Sequence, residues 1–291
     1  MLQDIEPKCL HNEYKPQEPS ADAYAVIVEK GKILAKVTDG TLTLPRFSEL
    51  DGDAMKDARY LIRVDEDRFF LPKAAADAYT ENLTQRGYVF LTRADLRYLL
   101  PEWMRFAAIT SLSLAGWYES NRFCGHCGTH LVHSDKERMM QCPSCGQMHF
   151  PKICPAVIVG ITNGDKILLT KYNPSRNNKR YALVAGFTEI GETIEQTVHR
   201  EVMEETGLKV KNLRYYKCQP WPLTDTLLFG FFCEVDGSDE IHMDTEELSV
   251  AEWVAGKDLN IGSGEISLTY EMIKVFSENC KAGIIPGADE E

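Results

Sequence analysis

Glu201, Glu204 and Glu205, set at i, i+3 and i+4, are the residues of this chain best placed to do chemistry. On a helix such positions share one face. Carboxylates that close repel one another, which costs stability unless a cation lies between them. Ligands that are all oxygen suit Mg2+ or Mn2+, and those ions in turn hold phosphate oxygens. A solvated acidic face is the plainer reading of a Glu-rich helix. Here, though, the acids sit inside a fixed arrangement, G-x5-E-x7-R-E-U-x-E-E-x-G-U with U bulky and apolar. It runs from Gly186 through Glu192 and Arg200 to Gly207 and Leu208.

The elements that must position these acids follow from the local sequence. Thr193 to Thr206 contains neither Gly nor Pro and predicts a helix of about four turns. Thr193 with Gln196 forms a capping box, and Gly207 suits a left-handed C-cap. Ile194, Val198 and Val202 make a separate apolar stripe that should be buried. A second constellation lies upstream. CGHC (124 to 127) and CPSC (142 to 145) are separated by fourteen residues. Paired C-x2-C knuckles of this kind read as a zinc ribbon, with Cys124, Cys127, Cys142 and Cys145 as four thiolates about one structural Zn2+. Disulfides are the alternative, rare in a cytoplasmic chain. His126, His130, His133 and His149 lie near enough in sequence to compete as ligands, but four thiolates already close the site.

Length and composition set the frame. The chain has 291 residues, a net charge of −12, 44% apolar and 26% charged residues, and nine cysteines. That is ordinary for a globular protein of about two domains. The acidity argues against a broad, nonspecific grip on nucleic acid. The stretch KYNPSRNNKR (171 to 180) has four basic and no acidic residues, and reads as a phosphate-reaching loop or a soluble turn. No apolar run reaches membrane-span length, and the start, MLQDIEPK, lacks the apolar core of a signal peptide. The expected location is the cytoplasm, with no membrane partner.

Three segments are expected: an N-terminal α+β domain (1–121), the zinc ribbon (122–152) and an α/β domain carrying the acids (153–291). The first holds the β-like runs AYAVIVE, KILAKV, RYLIRV, RFFLP and YVFLT, then a helical stretch from about Asp95 to Asn121 interrupted at Pro101. In the third, PAVIVGIT and KILLTKY predict a hairpin about Asn163-Gly164-Asp165. YALVA leads into the motif, LRYYKCQ and LLFGFFCEV are further strands, and ISLTYEMIKVFSEN is a closing amphipathic helix. Because the N-terminal segment also alternates strands and ends in a helix, it is compatible with a degenerate copy of the third.

The 186–208 pattern is the signature of the Nudix hydrolases, and the chain resembles that family there at every fixed position. The ribbon, together with CQPWPLTDT (218 to 226), resembles the NADH pyrophosphatase branch, whose marker reads SQPWPFPxS. Gln219, Pro220, Trp221 and Pro222 match, and Thr226 keeps a hydroxyl; Cys218, Leu223 and Thr224 depart from the marker. The resemblance implies a Nudix α/β/α sandwich and metal-dependent hydrolysis of the pyrophosphate of NAD(H), giving nicotinamide mononucleotide and AMP. It also implies removal of NAD from the 5′ end of capped RNA, and a homodimer. The flanking prolines stiffen Trp221, so that it can stack on a flat ring at low entropic cost, with Phe187 as the natural second wall. The resemblance assigns Glu201, Glu205, Glu247 and the carbonyl of Ala185 to the Mg2+ or Mn2+ site, with Glu246 as the fallback for Glu247. Glu204 is a further ligand or the base for the attacking water, Arg200 orients the carboxylates, and Glu192 buttresses loop and helix. Glu137, Phe150 and Ser267 match substrate-contacting positions, although Phe150 lacks the hydroxyl of the usual Tyr. The rivals are a Nudix hydrolase of another nucleoside diphosphate such as ADP-ribose, and a non-catalytic nucleotide sensor, which would be expected to have lost these carboxylates.

Overall fold

Runs of β-branched and aromatic residues become strands in both halves of the chain. The computed structural model describes residues 1–50, 53–73, 76–173, 180–260, 262 and 266–284. It falls into two compact units. One comprises Gln3–Lys152 with Pro222–Asp225; the other comprises Met1–Leu2, Ile153–Trp221 and Thr226–Glu291.

In the first unit, β1 (Leu10–His11), β2 (Tyr24–Ala25), β3 (Val28–Glu29), β4 (Lys32–Thr38), β5 (Thr41–Thr43), β6 (Arg59–Val64) and β7 (Asp67–Leu71) precede α1 (Asp77–Gln85). Then come β8 (Val89–Leu91), α2 (Arg93–Leu96) and α3 (Glu102–Ser120). The strands form two four-stranded sheets, β1-β6-β7-β2 and one in which β4 pairs with β3, β5 and β8. AYAVIVE therefore splits between two sheets rather than forming one strand. The expected helical stretch is α2 and α3, broken at Pro101 as its ring requires. The ribbon follows as β9 (Val132–His133), β10 (Met140–Gln141) and β11 (Met148–His149), an antiparallel sheet in the order β11-β10-β9, and it groups with the N-terminal residues. Arg138 ties it there by donating to the Leu61 carbonyl at 2.6 Å.

The second unit is built on β12 (Cys154–Asn163), followed by β13 (Lys166–Tyr172), β14 (Val184–Phe187), α4 (Ile194–Thr206), β15 (Val210–Trp221), β16 (Thr226–Val235), β17 (Leu248–Ala255) and α5 (Leu268–Lys281). The sheet order is β15-β16-β12-β13-β17, with β14 also pairing β12. Strand alternation sends the two faces of β12 into different cores. Val157, Val159 and Ile161 pack with Val198 and Val202 of α4. Ile158 packs with Leu268, Met272 and Phe276 of α5. A sheet buried on both faces between helices is the α/β/α sandwich expected from the sequence. β12 turns into β13 at Asn163-Gly164-Asp165 as expected, but the two strands pair only at Thr162↔Ile167 and Asn163↔Lys166. Further along, β14 takes β12's hydrogen bonds, with Val157 opposite Gly186 and Ile158 opposite Ala185. This brings the motif loop to the sheet. Most of the basic stretch 171–180, namely residues 174–179, lies outside the described residues. Among the described residues no helix is long and apolar enough to cross a membrane.

Candidate active site and zinc centre

The motif helix starts and stops where its caps dictate. The Thr193 side chain accepts from the Gln196 N–H at 3.2 Å, and Gln196 accepts from the Thr193 N–H at 2.8 Å. Gly207 ends α4 at φ 69°, where an L side chain would be strained, and an added Cβ would also press on His242. Val198 and Val202 are fully buried and Glu205 lies beside them, whereas Glu201 and Glu204 lead away towards the outer side of α4.

Arg200 organises that side. Its guanidinium donates to both oxygens of Glu192 at 2.6 and 2.9 Å, to Glu201 at 2.7 Å, to Glu204 at 3.0 Å and to the Phe187 carbonyl at 2.8 Å. Glu192 also accepts from the Glu189 N–H and the Thr197 hydroxyl, each at 3.0 Å, so it ties the motif loop to the helix. The Arg200 hydrogen bonds, joined by the Glu189 N–H, hold the Glu192 carboxyl down to about 2. Glu201 moves the other way. Burial pushes its carboxyl up, Arg200 opposes this, and the charges of Glu204 and Glu247 add to the rise. Glu205 is 3% exposed. Negative charge is thus crowded around a half-buried point, the situation a divalent cation relieves.

Gly186 makes this approach possible, because a Cβ there would overlap the Glu201 carboxylate. The loop ahead of β17 sets two adjacent glutamates in different surroundings. Glu247, half-buried, is the one whose charge reaches Glu201, whereas Glu246 is exposed, its N–H bonded to Asp244 at 2.8 Å. Ala185 presents its backbone next to Gly186 on β14.

The marker residues divide by position. Pro220 and Trp221 close β15, with Trp221 opposite Thr226 of β16. Trp221 is half-buried, and Phe187 is exposed at the end of β14. Gln219 is held from within the fold. It is fully buried, donates to the Ile266 carbonyl at 2.9 Å and accepts from the Leu268 N–H at 2.7 Å. It fastens the start of α5, where Ser267 is the N-cap. Sequence patterns cannot find such a role, since both partners lie almost fifty residues downstream. Pro222 belongs to the N-terminal unit, where Arg93 donates to the Leu223 carbonyl at 3.0 Å. Glu137 and Phe150, both exposed, lie in that unit too.

The ribbon cysteines converge as their spacing predicts. Their sulfurs all lie within 4.8 Å of one another, with pairs at 3.4 and 3.6 Å. Sulfurs about 2.3 Å from a tetrahedral ion stand roughly 3.8 Å apart, so the group fits Zn2+. The two knuckles are built alike: Cys124 N–H bonds the Thr129 carbonyl at 2.8 Å, and Cys142 N–H bonds that of Gln147 at 2.8 Å. No histidine joins this cluster among the described residues. The thiolates are also the one group of possible ligands there that converges so tightly, while Glu201 and Glu204 are held by Arg200.

Comparison with known proteins finds matches to both of these segments. A family model described as the NUDIX domain matches residues 152–273. Another, described as the NADH pyrophosphatase zinc ribbon domain, matches residues 119–150. The chain is 46% identical over 142 residues to the NAD-capped RNA hydrolase NudC of Pectobacterium carotovorum subsp. carotovorum (strain PC1), covering 49% of this chain and 54% of that protein. It is 45% identical over 171 residues to the NAD-capped RNA hydrolase NudC of Escherichia coli O1:K1 / APEC, covering 59% and 66% respectively. The chain thus spans about half the length of the first of these curated relatives. Among solved structures, a NUDIX hydrolase from Nitrosomonas europaea aligns with a TM-score of 0.48 and 21% identity, over 56% of this chain and 94% of that one.

Proposed function

Because the chain belongs to the Nudix hydrolase family and carries the zinc ribbon of the NADH pyrophosphatases, we propose that it splits the pyrophosphate of NAD(H). Water adds to one phosphorus, the bridging P–O bond breaks, and the products are nicotinamide mononucleotide and AMP. NAD at the 5′ end of RNA offers the same bond and is the second substrate of this reading, as the names of the curated relatives suggest. The observation that carries the proposal is the crowding of carboxylates on α4: Glu201 is raised by burial and by Glu204 and Glu247, beside a buried Glu205.

Glu201, Glu205 and Glu247, with the Ala185 carbonyl, would hold Mg2+ or Mn2+. When bound, such ions supply charge neutralisation for the phosphates and a more acidic water. Arg200 lines up Glu201 and Glu204, and Glu192 keeps Arg200 in place. Glu204, exposed at the end of this row, is free of the core and is suited to accept the proton of the attacking water. Trp221 and Phe187 offer flat apolar surface for a nicotinamide or adenine ring. The reading includes a homodimer acting in the cytoplasm, where thiols stay reduced and available to zinc.

The test offers NADH, NAD+, ADP-ribose and NAD-capped RNA in parallel to the zinc-loaded protein with Mn2+ or Mg2+, and separates the products. Release of mononucleotide from NAD(H) or capped RNA at far higher kcat/KM than from ADP-ribose is expected. Preference for ADP-ribose would overturn the substrate assignment. Steeper salt dependence on capped RNA than on NADH would mark contact with the polynucleotide. Light scattering reads the oligomeric state.

A further inference from the structure

The N-terminal unit holds a cavity of about 240 Å3 that the hydrolytic chemistry leaves unused. One wall is apolar, with Val28, Leu71 and Ala115; another is cationic, with Arg59 and Arg122. Glu119 is the one carboxylate among the described lining residues, and it is exposed.

Arg59 is unusual. Its guanidinium stacks 4.2 Å from the centre of the Tyr118 ring. Burial pushes its pKa down, and the groups opposing that fall are the Tyr118 and Tyr14 hydroxyls rather than a carboxylate. Tyr118 is 3% exposed, and its hydroxyl is buried without a hydrogen bond of ordinary geometry, although Arg138 acts on its charge. Burial drives that hydroxyl up to about 12, so at neutral pH it remains a donor. His133 packs on Tyr118 with ring centres 4.9 Å apart and is pushed down to about 4, chiefly by burial, so it adds no charge. A partly buried guanidinium whose described electrostatic partners include no carboxylate is a costly feature. An anion in the cavity would offset it.

We propose that this cavity binds a small organic anion, its phosphate or carboxylate head between Arg59 and Arg122 and its compact apolar body against Val28, Leu71 and Ala115. The space suits a one-ring ligand better than a dinucleotide. Arginine is the side chain whose planar fork fits either head group. The site is therefore distinct in ligand class from the pyrophosphate centre.

Calorimetric titration of the full zinc-loaded chain, with no Mg2+ or Mn2+ added, tests the assignment. The probes are phenyl phosphate, benzoate and inorganic phosphate. The expected result is one saturable site for phenyl phosphate or benzoate and weaker binding of inorganic phosphate. Arg59→Gln and Arg122→Gln should each weaken binding at least tenfold while NADH turnover stays unchanged. If Arg59→Gln does not fold, Arg122→Gln at the exposed rim reads the same loss. Absence of saturable binding would overturn the proposal. So would affinity unchanged in the rim variant, because the anion would then sit elsewhere and the Arg59–Tyr118 stack would be only a brace between β6 and α3.

Discussion

At the scale of single residues, Glu205 and Glu192 do opposite jobs. Glu205 is buried, so Glu205→Gln keeps its shape and removes a charge. Turnover should fall on the order of a thousandfold or more, with the melting temperature held or raised, since like-charge crowding is relieved. Near-normal activity would reject its role. Glu192 is a fastening. Its folded pKa of about 2, set mainly by Arg200, lies below the ordinary carboxylate range. A depressed carboxylate contributes stability that is fully present above its unfolded pKa and is lost as pH falls through the folded one. Melting curves of the native protein and Glu192→Gln should therefore differ at neutral pH and converge from about pH 5 towards about pH 2. A gap that does not change with pH would show that the ion pair is not its source. Glu205 was legible from its helical spacing, whereas Glu192, ahead of the N-cap Thr193, was legible only as a fixed position of the motif.

The elements show where such legibility ends. α4 was readable to the residue, for Thr193, Gln196 and Gly207 act within a turn of themselves. The hairpin at Asn163-Gly164-Asp165 was readable for the same reason. α1 was not, because Asp77–Gln85 shows only two buried residues, Tyr79 and Leu83, on a polar surface. Nor was β17, whose Leu248–Ala255 stretch mixes half-buried residues with no clean alternation. Tertiary partners define these elements. Gln219 belongs with them: Gln219→Leu would leave the Ile266 carbonyl and the Leu268 N–H unsatisfied in the core. We expect a loss of about 2–4 kcal/mol in denaturant unfolding. A change in KM alone, at unchanged stability, would return Gln219 to the substrate. Gly186→Ala probes the meeting of β14 and α4. The new methyl must displace the Glu201 carboxylate, so Mn2+ affinity and turnover should drop together while circular dichroism is preserved.

At the scale of the molecule, the division of labour was visible in outline and its grouping was not. The sequence separates a ribbon from the N-terminal segment by its cysteines. The fold joins them in one unit, through contacts such as Arg138 to Leu61 that no periodicity announces. One zinc per chain is expected by elemental analysis. Cys142→Ser, at a sulfur site 1% exposed, should abolish zinc retention and unfold the ribbon, since so small a segment owns no adequate core. Full zinc content in that variant would mean that another ligand set holds the ion.

Arg200 adds a last consequence. Its guanidinium already stands among the acids of α4 as a built-in counter-ion. A dication arriving there would share with Arg200 the task of balancing those acids, and the helix would keep its form throughout. The thiolates of the ribbon have no such understudy. A gentle chelator should accordingly yield a protein that is idle but intact, revived by adding back manganese. Only a stronger one, able to strip zinc, should make the damage structural.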